Sequence, residues 1–356
     1  MAARRSAARD LASRGVRAVS GRAAEIGLAV LALLLAWGTA AAVTPRLMEA
    51  ARRFGIVDVP DGRLKTQKEP VPYLGGLAVA LGLLLALGVT YRFGHQLLAV
   101  LLGASIVLIL GLLDDLGSLK PASKLAGQLL AVLVLIKAGV SIQIVFVPWW
   151  VAIPLTVVWM LAATNALNLI DVMDGLSSGV GAVAALFFAG IALAGGLTDT
   201  GFLGAALAGG LLGFRRYNVE PARIYLGDTG SLFAGFLLGA LAMINAYTAR
   251  HRLGIVAPLL ILAVPLFDML FVMWVRWRRG LPVMLGSPDH VALRLRKWRL
   301  STRATVRANV AAAIVTGSAG VGVMLLPVAW AAALLAGLLF AAVALAVWLR
   351  RIDMSL

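Results

Sequence analysis

The chain has 356 residues, 61% of them hydrophobic and only 13% charged, with 32 Lys and Arg against 16 Asp and Glu. Such a composition excludes an ordinary soluble globule and indicates an integral membrane protein. The absence of cysteine excludes disulfides, thiolate metal sites and cysteine nucleophiles.

The first 22 residues form a basic tail with Arg4, Arg5, Arg9, Arg14, Arg17 and Arg22. Apolar segments follow near 26–44, 74–91, 97–113, 124–140, 149–166, 177–197, 200–214, 231–248, 254–275, 305–326 and 328–349. At roughly 20 residues per crossing they predict an all-α polytopic bundle of about ten or eleven transmembrane helices. Residues 23–350 are expected to form one membrane domain, with 351–356 as a short tail. The formal charge of +16 does not indicate nucleic acid. Most Lys and Arg fall in the loops that also carry the acids, whereas the opposite loops hold only Arg92, Lys137, Arg250 and Arg252. This is the bias of an inner-membrane protein whose acid-bearing loops face the cytoplasm, and it implies contact with anionic membrane lipids. An odd number of spans puts the basic tail on the other side from the C-terminus.

The loop after the first span reads Val59-Pro60-Asp61-Gly62-Arg63-Leu64-Lys65-Thr66-Gln67-Lys68. It is either a basic connection or a rim for an anionic substrate, with Lys65 a candidate contact. The third span ends in Asp114-Asp115, two adjacent carboxylates at the negative end of a helix dipole. A divalent cation that collects them explains the arrangement. Lys124 and Gln128 follow on one stripe of the next helix and either hold phosphate or, for the lysine, snorkel to the interface.

Asn165, Asn168, Asp171 and Asp174 recur at intervals of three. On a regular helix each step slips about 60°, so the set converges only if the helix tightens or breaks, and Gly175 offers a break. Tyr225-Leu226-Gly227-Asp228-Thr229-Gly230-Ser231 opens the eighth span. Its glycines allow close approach, and its helix N-terminus suits phosphate; Thr229 or Ser231 is alternatively a plain N-cap. Asp268 lies inside the ninth span and serves either helix packing or support of the site. The longest basic loop carries Asp289-His290 and Arg294.

In this order, Asp114-Asp115, the Asn165–Gly175 run, Gly227-Asp228-Thr229-Gly230-Ser231 and the Asp289-His290 loop resemble the polyprenyl-phosphate N-acetylhexosamine-1-phosphate transferase superfamily. The resemblance runs from about Pro60 to Leu300. It implies a membrane enzyme, often dimeric, with a cytoplasmic active site and a Mg²⁺ requirement (Mn²⁺ as a substitute). Such an enzyme transfers a sugar 1-phosphate, here N-acetylglucosamine 1-phosphate, from a UDP-sugar to undecaprenyl phosphate and releases UMP, starting a cell-envelope glycan. It further implies catalytic roles for Asp114, Asp115, Asp171, Asp174 and His290, and metal ligation by Asp114, Asp115 and Asp228. Substrate contacts are expected at Lys65, Lys124, Asn165, Asn168, Gly227, Thr229, Ser231 and Arg294. Two positions depart from the pattern: Val172 stands for a glycine, and Leu293 for a second histidine. An intramembrane aromatic prenyltransferase and a non-catalytic transporter are the alternatives. A prenyl diphosphate requirement marks the first, and uptake without turnover marks the second.

Overall fold

The computed structural model describes residues 2–59, 69–90, 94–117, 119–144, 146–282 and 286–354, with backbone alone for 2–20. Helices form at all eleven apolar segments. In chain order they are α1 (Ala2–Arg53), α2 (Gly75–Thr90), α3 (His95–Gly117), α4 (Pro121–Lys137), α5 (Trp149–Leu169), α6 (Leu176–Ala194), α7 (Thr198–Asn218), α8 (Gly227–Ile244), the pair α9 (Ala257–Ile261) and α10 (Ala263–Arg278), α12 (Thr302–Leu325) and α13 (Val328–Arg350). The short α11 (Val291–Lys297) lies in the long basic loop. In hydrocarbon a backbone can pair its polar groups only within helices or closed barrels, which is why apolar runs become helices here.

Among the described residues, seven helices are long and apolar enough to cross a bilayer, or eight if the bent α9–α10 pair is one span. Of the remaining segments, α2 and α4 have 16 and 17 residues, and α7 carries Asp199, Arg215 and Arg216 at its ends. The α9–α10 pair bends by 76°. Pro265 causes this, because it has no N–H for the carbonyl of Ile261 four residues earlier.

α7 and α8 sit at the centre. Gly209 and Gly213, four apart on α7, press against α1: a Cβ on either would lie 2.1 Å from Leu33 O or 2.2 Å from Trp37 O. This is the small-residue packing by which membrane helices approach closely. The start of α8 is gripped in the same way, since a Cβ on Gly230 would lie 2.6 Å from Gly76 Cα of α2. One exception to the helical pattern is a two-residue ladder of β1 (Val57–Asp58) and β2 (Val71–Pro72), with Val57 opposite Pro72. It brings Asp58 to the Tyr73 hydroxyl, which donates at 2.7 Å.

The chain's two ends lie at opposite ends of the bundle. Arg22 donates to Ala194 O (3.0 Å) at the C-terminal end of α6. Arg294, from the long basic loop, holds the last turn of α13.

Candidate active site

The N-terminus of α8 is capped by a side chain from another helix. Asp115, near the end of α3, accepts the Asp228 N–H on Oδ1 (2.9 Å). Its Oδ2 accepts the Thr229 N–H (3.0 Å) and hydroxyl (2.6 Å). These are the orphan donors of a helix start, at the positive end of its dipole. Gly227 takes φ +71° just before them, and a Cβ there would lie 2.5 Å from Asp115 Oδ2. Both Asp115 oxygens accept hydrogen bonds from the start of α8, so Asp115 holds that helix end in place. Thr229 and Ser231 are 0% exposed and Gly227 is buried.

Asp114, one residue earlier, is turned by about 100° of helix and faces another way. Its Oδ1 accepts the Leu119 N–H (2.5 Å), and its Oδ2 accepts Lys124 Nζ (2.9 Å). The same ammonium donates to Asp228 Oδ2. Asn168 Nδ2 donates to Asp228 Oδ1 (2.7 Å) and Ser231 Oγ (2.9 Å), and the Ser231 hydroxyl donates to Gly227 O (2.8 Å). Asp114, Lys124, Asn168 and Asp228 thus come together from α3, α4, α5 and α8.

The expected break occurs, five residues ahead of Gly175. α5 ends at Leu169, and Gly175, at φ +75°, opens α6. Asp171 and Asp174 consequently lie in a loop beside the carboxylates. Burial, followed by the charges of Asp228, Asp115 and Asp174, pushes the Asp171 carboxyl well above the usual range. Asp174 is also raised, chiefly by burial, against the pull of the Ala222 N–H that its Oδ2 accepts at 2.9 Å. The charge of Arg296 on α11 reaches Asp174 as well. Asn165 does not join the cluster. Its amide pairs reciprocally with Gln128 (2.6 and 3.2 Å) and donates to Leu161 O (2.8 Å), an interhelical tie.

In the basic loop, His290 Nδ1 meets Asp268 Oδ2 at 2.7 Å, and the Val291 N–H donates to Asp268 Oδ1 at 2.6 Å. His290 Nε2 has no partner among the described residues. Arg294, expected on substrate phosphates, is 0% exposed. It donates to Asp289 O (3.2 Å) and Oδ1 (2.5 Å), Leu349 O (3.0 Å) and Ile352 O (2.9 Å). Its guanidinium ties the loop to the end of α13. Leu293 packs against the main apolar core. Lys65 lies outside the described residues.

Sequence reasoning passed over Tyr73, Tyr225 and Asn218. The Tyr225 phenol is pushed up to about 12 by burial and by Asp174, Asp58 and Asp171, so it faces the carboxylates. Asn218 accepts from Gly175 N (3.1 Å) and Ser178 Oγ (2.9 Å), fixing the start of α6. Isolated aromatics and amides carry no spacing signal, so only the fold reveals them.

Among the described residues no three His, Asp or Glu form a ready-made metal cage. Asp114 and Asp228 nevertheless converge on one cationic group, the Lys124 ammonium, with the charge of Asp171 coupled to Asp228. Mg²⁺ characteristically uses one or two carboxylates and completes its shell with water and substrate phosphate. The oxygen donors present fit that pattern.

A family model described as glycosyl transferase family 4 matches residues 97–246. The chain is 34% identical over 288 residues to a probable undecaprenyl-phosphate N-acetylglucosaminyl 1-phosphate transferase of Bacillus subtilis, covering 78% of this chain and 80% of the relative. It is 30% identical over 325 residues to a decaprenyl-phosphate N-acetylglucosaminephosphotransferase of Mycobacterium tuberculosis, covering 78% of each. It is 32% identical over 240 residues to a phospho-N-acetylmuramoyl-pentapeptide-transferase of Shouchella clausii, covering 60% of this chain and 74% of the relative.

Proposed function

The chain belongs to glycosyl transferase family 4, and from that membership we propose that it is a multi-pass membrane enzyme transferring N-acetylglucosamine 1-phosphate from a UDP-sugar to a polyprenyl phosphate. One observation carries the reading: Asp114, Lys124, Asn168 and Asp228 meet at one end of the bundle, beside the carboxylates of the 170–175 loop.

The acceptor phosphate oxygen attacks the β-phosphorus of the UDP-sugar. The bond from that phosphorus to the bridging oxygen breaks, and UMP leaves with the electron pair. A phosphate monoester is already largely ionised near neutral pH, with a second pKa of about 6, so the site needs no strong base. Positioning and charge neutralisation do most of the work. Asp114 and Asp228, with Asp171 alongside, would hold Mg²⁺ or Mn²⁺, which would supply Lewis-acid neutralisation of the diphosphate. Asn168 sets the Asp228 carboxylate by its 2.7 Å bond. Lys124, held between Asp114 and Asp228, is placed where its ammonium would meet a substrate phosphate. His290 offers Nε2 to the nucleotide-sugar phosphates.

Loops at the carboxylate end hold most of the basic residues, which supports a cytoplasmic active site in an inner membrane. The test is mass spectrometry of purified protein with undecaprenyl phosphate, a panel of UDP-sugars and Mg²⁺, with and without EDTA. UMP plus a lipid-linked N-acetylglucosamine, lost with EDTA, is the expected result. No product from any donor, beside a working control enzyme, would overturn the reading.

A further inference from the structure

Asp268 is an acid inside the apolar part of α10, 3% exposed. A carboxylate in such a place is costly and needs strong partners. It has two, one on each oxygen: His290 Nδ1 at 2.7 Å and the Val291 N–H at 2.6 Å. His290 is itself 3% exposed. It occupies the residue just before α11 with extended backbone (φ −57°, ψ 143°). Its ring is therefore aimed by α10 as well as by its own loop.

We propose that Asp268 is a positioning residue for the transfer, fixing the tautomer and direction of the His290 imidazole so that Nε2 is the atom presented to a substrate phosphate. The proposal rests on the function argued above. With Nδ1–H committed to the carboxylate, Nε2 is the one ring nitrogen left. When the ring carries a second proton, Nε2–H donates to a substrate phosphate oxygen and Asp268 offsets the imidazolium charge from the other side. The geometry calls for an acid specifically, because two donors converge on the side chain and both need acceptors. An asparagine has one acceptor and an N–H₂ group, so in either orientation it turns a donor toward a donor. Keeping the Val291 bond, it places N–H against Nδ1 and moves the ring proton to Nε2.

The chain holds three histidines, so ¹⁵N-histidine labelling gives a spectrum of three imidazoles, and His290→Gln identifies the one that matters. Wild-type protein without substrate is expected to carry the His290 proton on Nδ1, and Asp268→Asn to move it to Nε2. In transfer assays Asp268→Asn is expected to lower kcat/KM by about 10- to 100-fold, the usual cost of losing a partner that orients a functional group. In a His290→Gln background the same change should cost nothing further, and Asp268→Glu, which keeps two acceptors, should recover part of the loss. An Nε2–H tautomer in the wild type overturns the proposal and needs no variant. So does an equal loss from Asp268→Asn with and without His290, which would make Asp268 only a tether for the loop. Absence of transfer in the wild type would count against the proposed function, while the tautomer would still decide the Asp268–His290 geometry.

Discussion

Asp115 of α3 and Thr229 of α8 are joined twice: one carboxylate oxygen accepts both the Thr229 N–H, at 3.0 Å, and its hydroxyl, at 2.6 Å. With the Asp228 N–H on the other oxygen, α3 supplies the cap that α8 lacks in its own sequence. Asp228, the residue that faces the site, is thus placed by Asp115.

Asp115 and Asp114 should separate experimentally. Asp115→Asn removes one of the acceptors at the α8 start and is expected to destabilise the protein by about 0.5–2 kcal/mol, the range for a lost helix cap. Transfer should collapse because Asp228 moves, yet residual Mg²⁺ binding should persist. Asp114→Asn should lose Mg²⁺ binding with little change in melting temperature. Calorimetric titration alongside thermal unfolding in detergent checks both; the reverse pattern would return Asp115 to the metal.

Lys124 occupies the space between Asp114 and Asp228 and competes with a divalent cation for them. Lys124→Gln is expected to bind Mg²⁺ roughly tenfold more tightly without substrate, about 1.4 kcal/mol out of the several available between neighbouring unit charges near a protein surface. The same variant should transfer more slowly, because a phosphate contact is gone. Weaker Mg²⁺ binding would mean the lysine supports the metal site.

Mg²⁺ binding should release a proton. The Asp171 carboxyl is raised by burial and by Asp228, Asp115 and Asp174, so it keeps its proton at pH values where a free carboxylate has lost it. Ligation favours the ionised form. Apparent affinity is therefore expected to rise with pH through that raised pKa and level off above it. Titrations in buffers of different ionisation enthalpy measure the proton, and Asp171→Asn should reduce its release.

Gly227→Ala puts an L side chain at φ +71° and a Cβ within 2.5 Å of Asp115 Oδ2. The backbone alone should cost about 1–2 kcal/mol, and the carboxylate must move as well. A lower melting temperature together with a large fall in kcat is expected. Unchanged kcat would detach the Asp115 cap from catalysis.

Arg294→Ala leaves buried Asp289 short of its closest cation and frees the carbonyls of Leu349 and Ile352. Breaking a buried pair in this way costs about 3–5 kcal/mol, so thermal stability should drop sharply. A stable variant with a raised KM for the nucleotide sugar would restore the substrate role.

Much of the site could be read from the residues. The adjacent acids Asp114 and Asp115 stand out in sequence, and Asn168 meets Asp228 in space, with Asp171 close enough to feel the Asp228 charge. Asn165 shares the spacing of Asn168 and Asp171 and does not converge, because the helix stays regular through 169 and turns it toward Gln128. Thr229 and Ser231 look like phosphate contacts in sequence, yet their hydroxyls are used inside the fold.

By itself the sequence determined the helices and the end of the bundle that carries the chemistry. Backbone in hydrocarbon must pair with itself, and carboxylates must sit where water, cations or phosphates can meet them. It could not tell Asp114 from Asp115, or Arg294 from a substrate arginine. Adjacent residues on a helix point about 100° apart, and which of them meets the N-terminus of α8, the Lys124 ammonium or the end of α13 depends on how the helices pack. Only the tertiary structure decided that, because a side chain's donors and acceptors are claimed by whatever packing brings within about 3 Å.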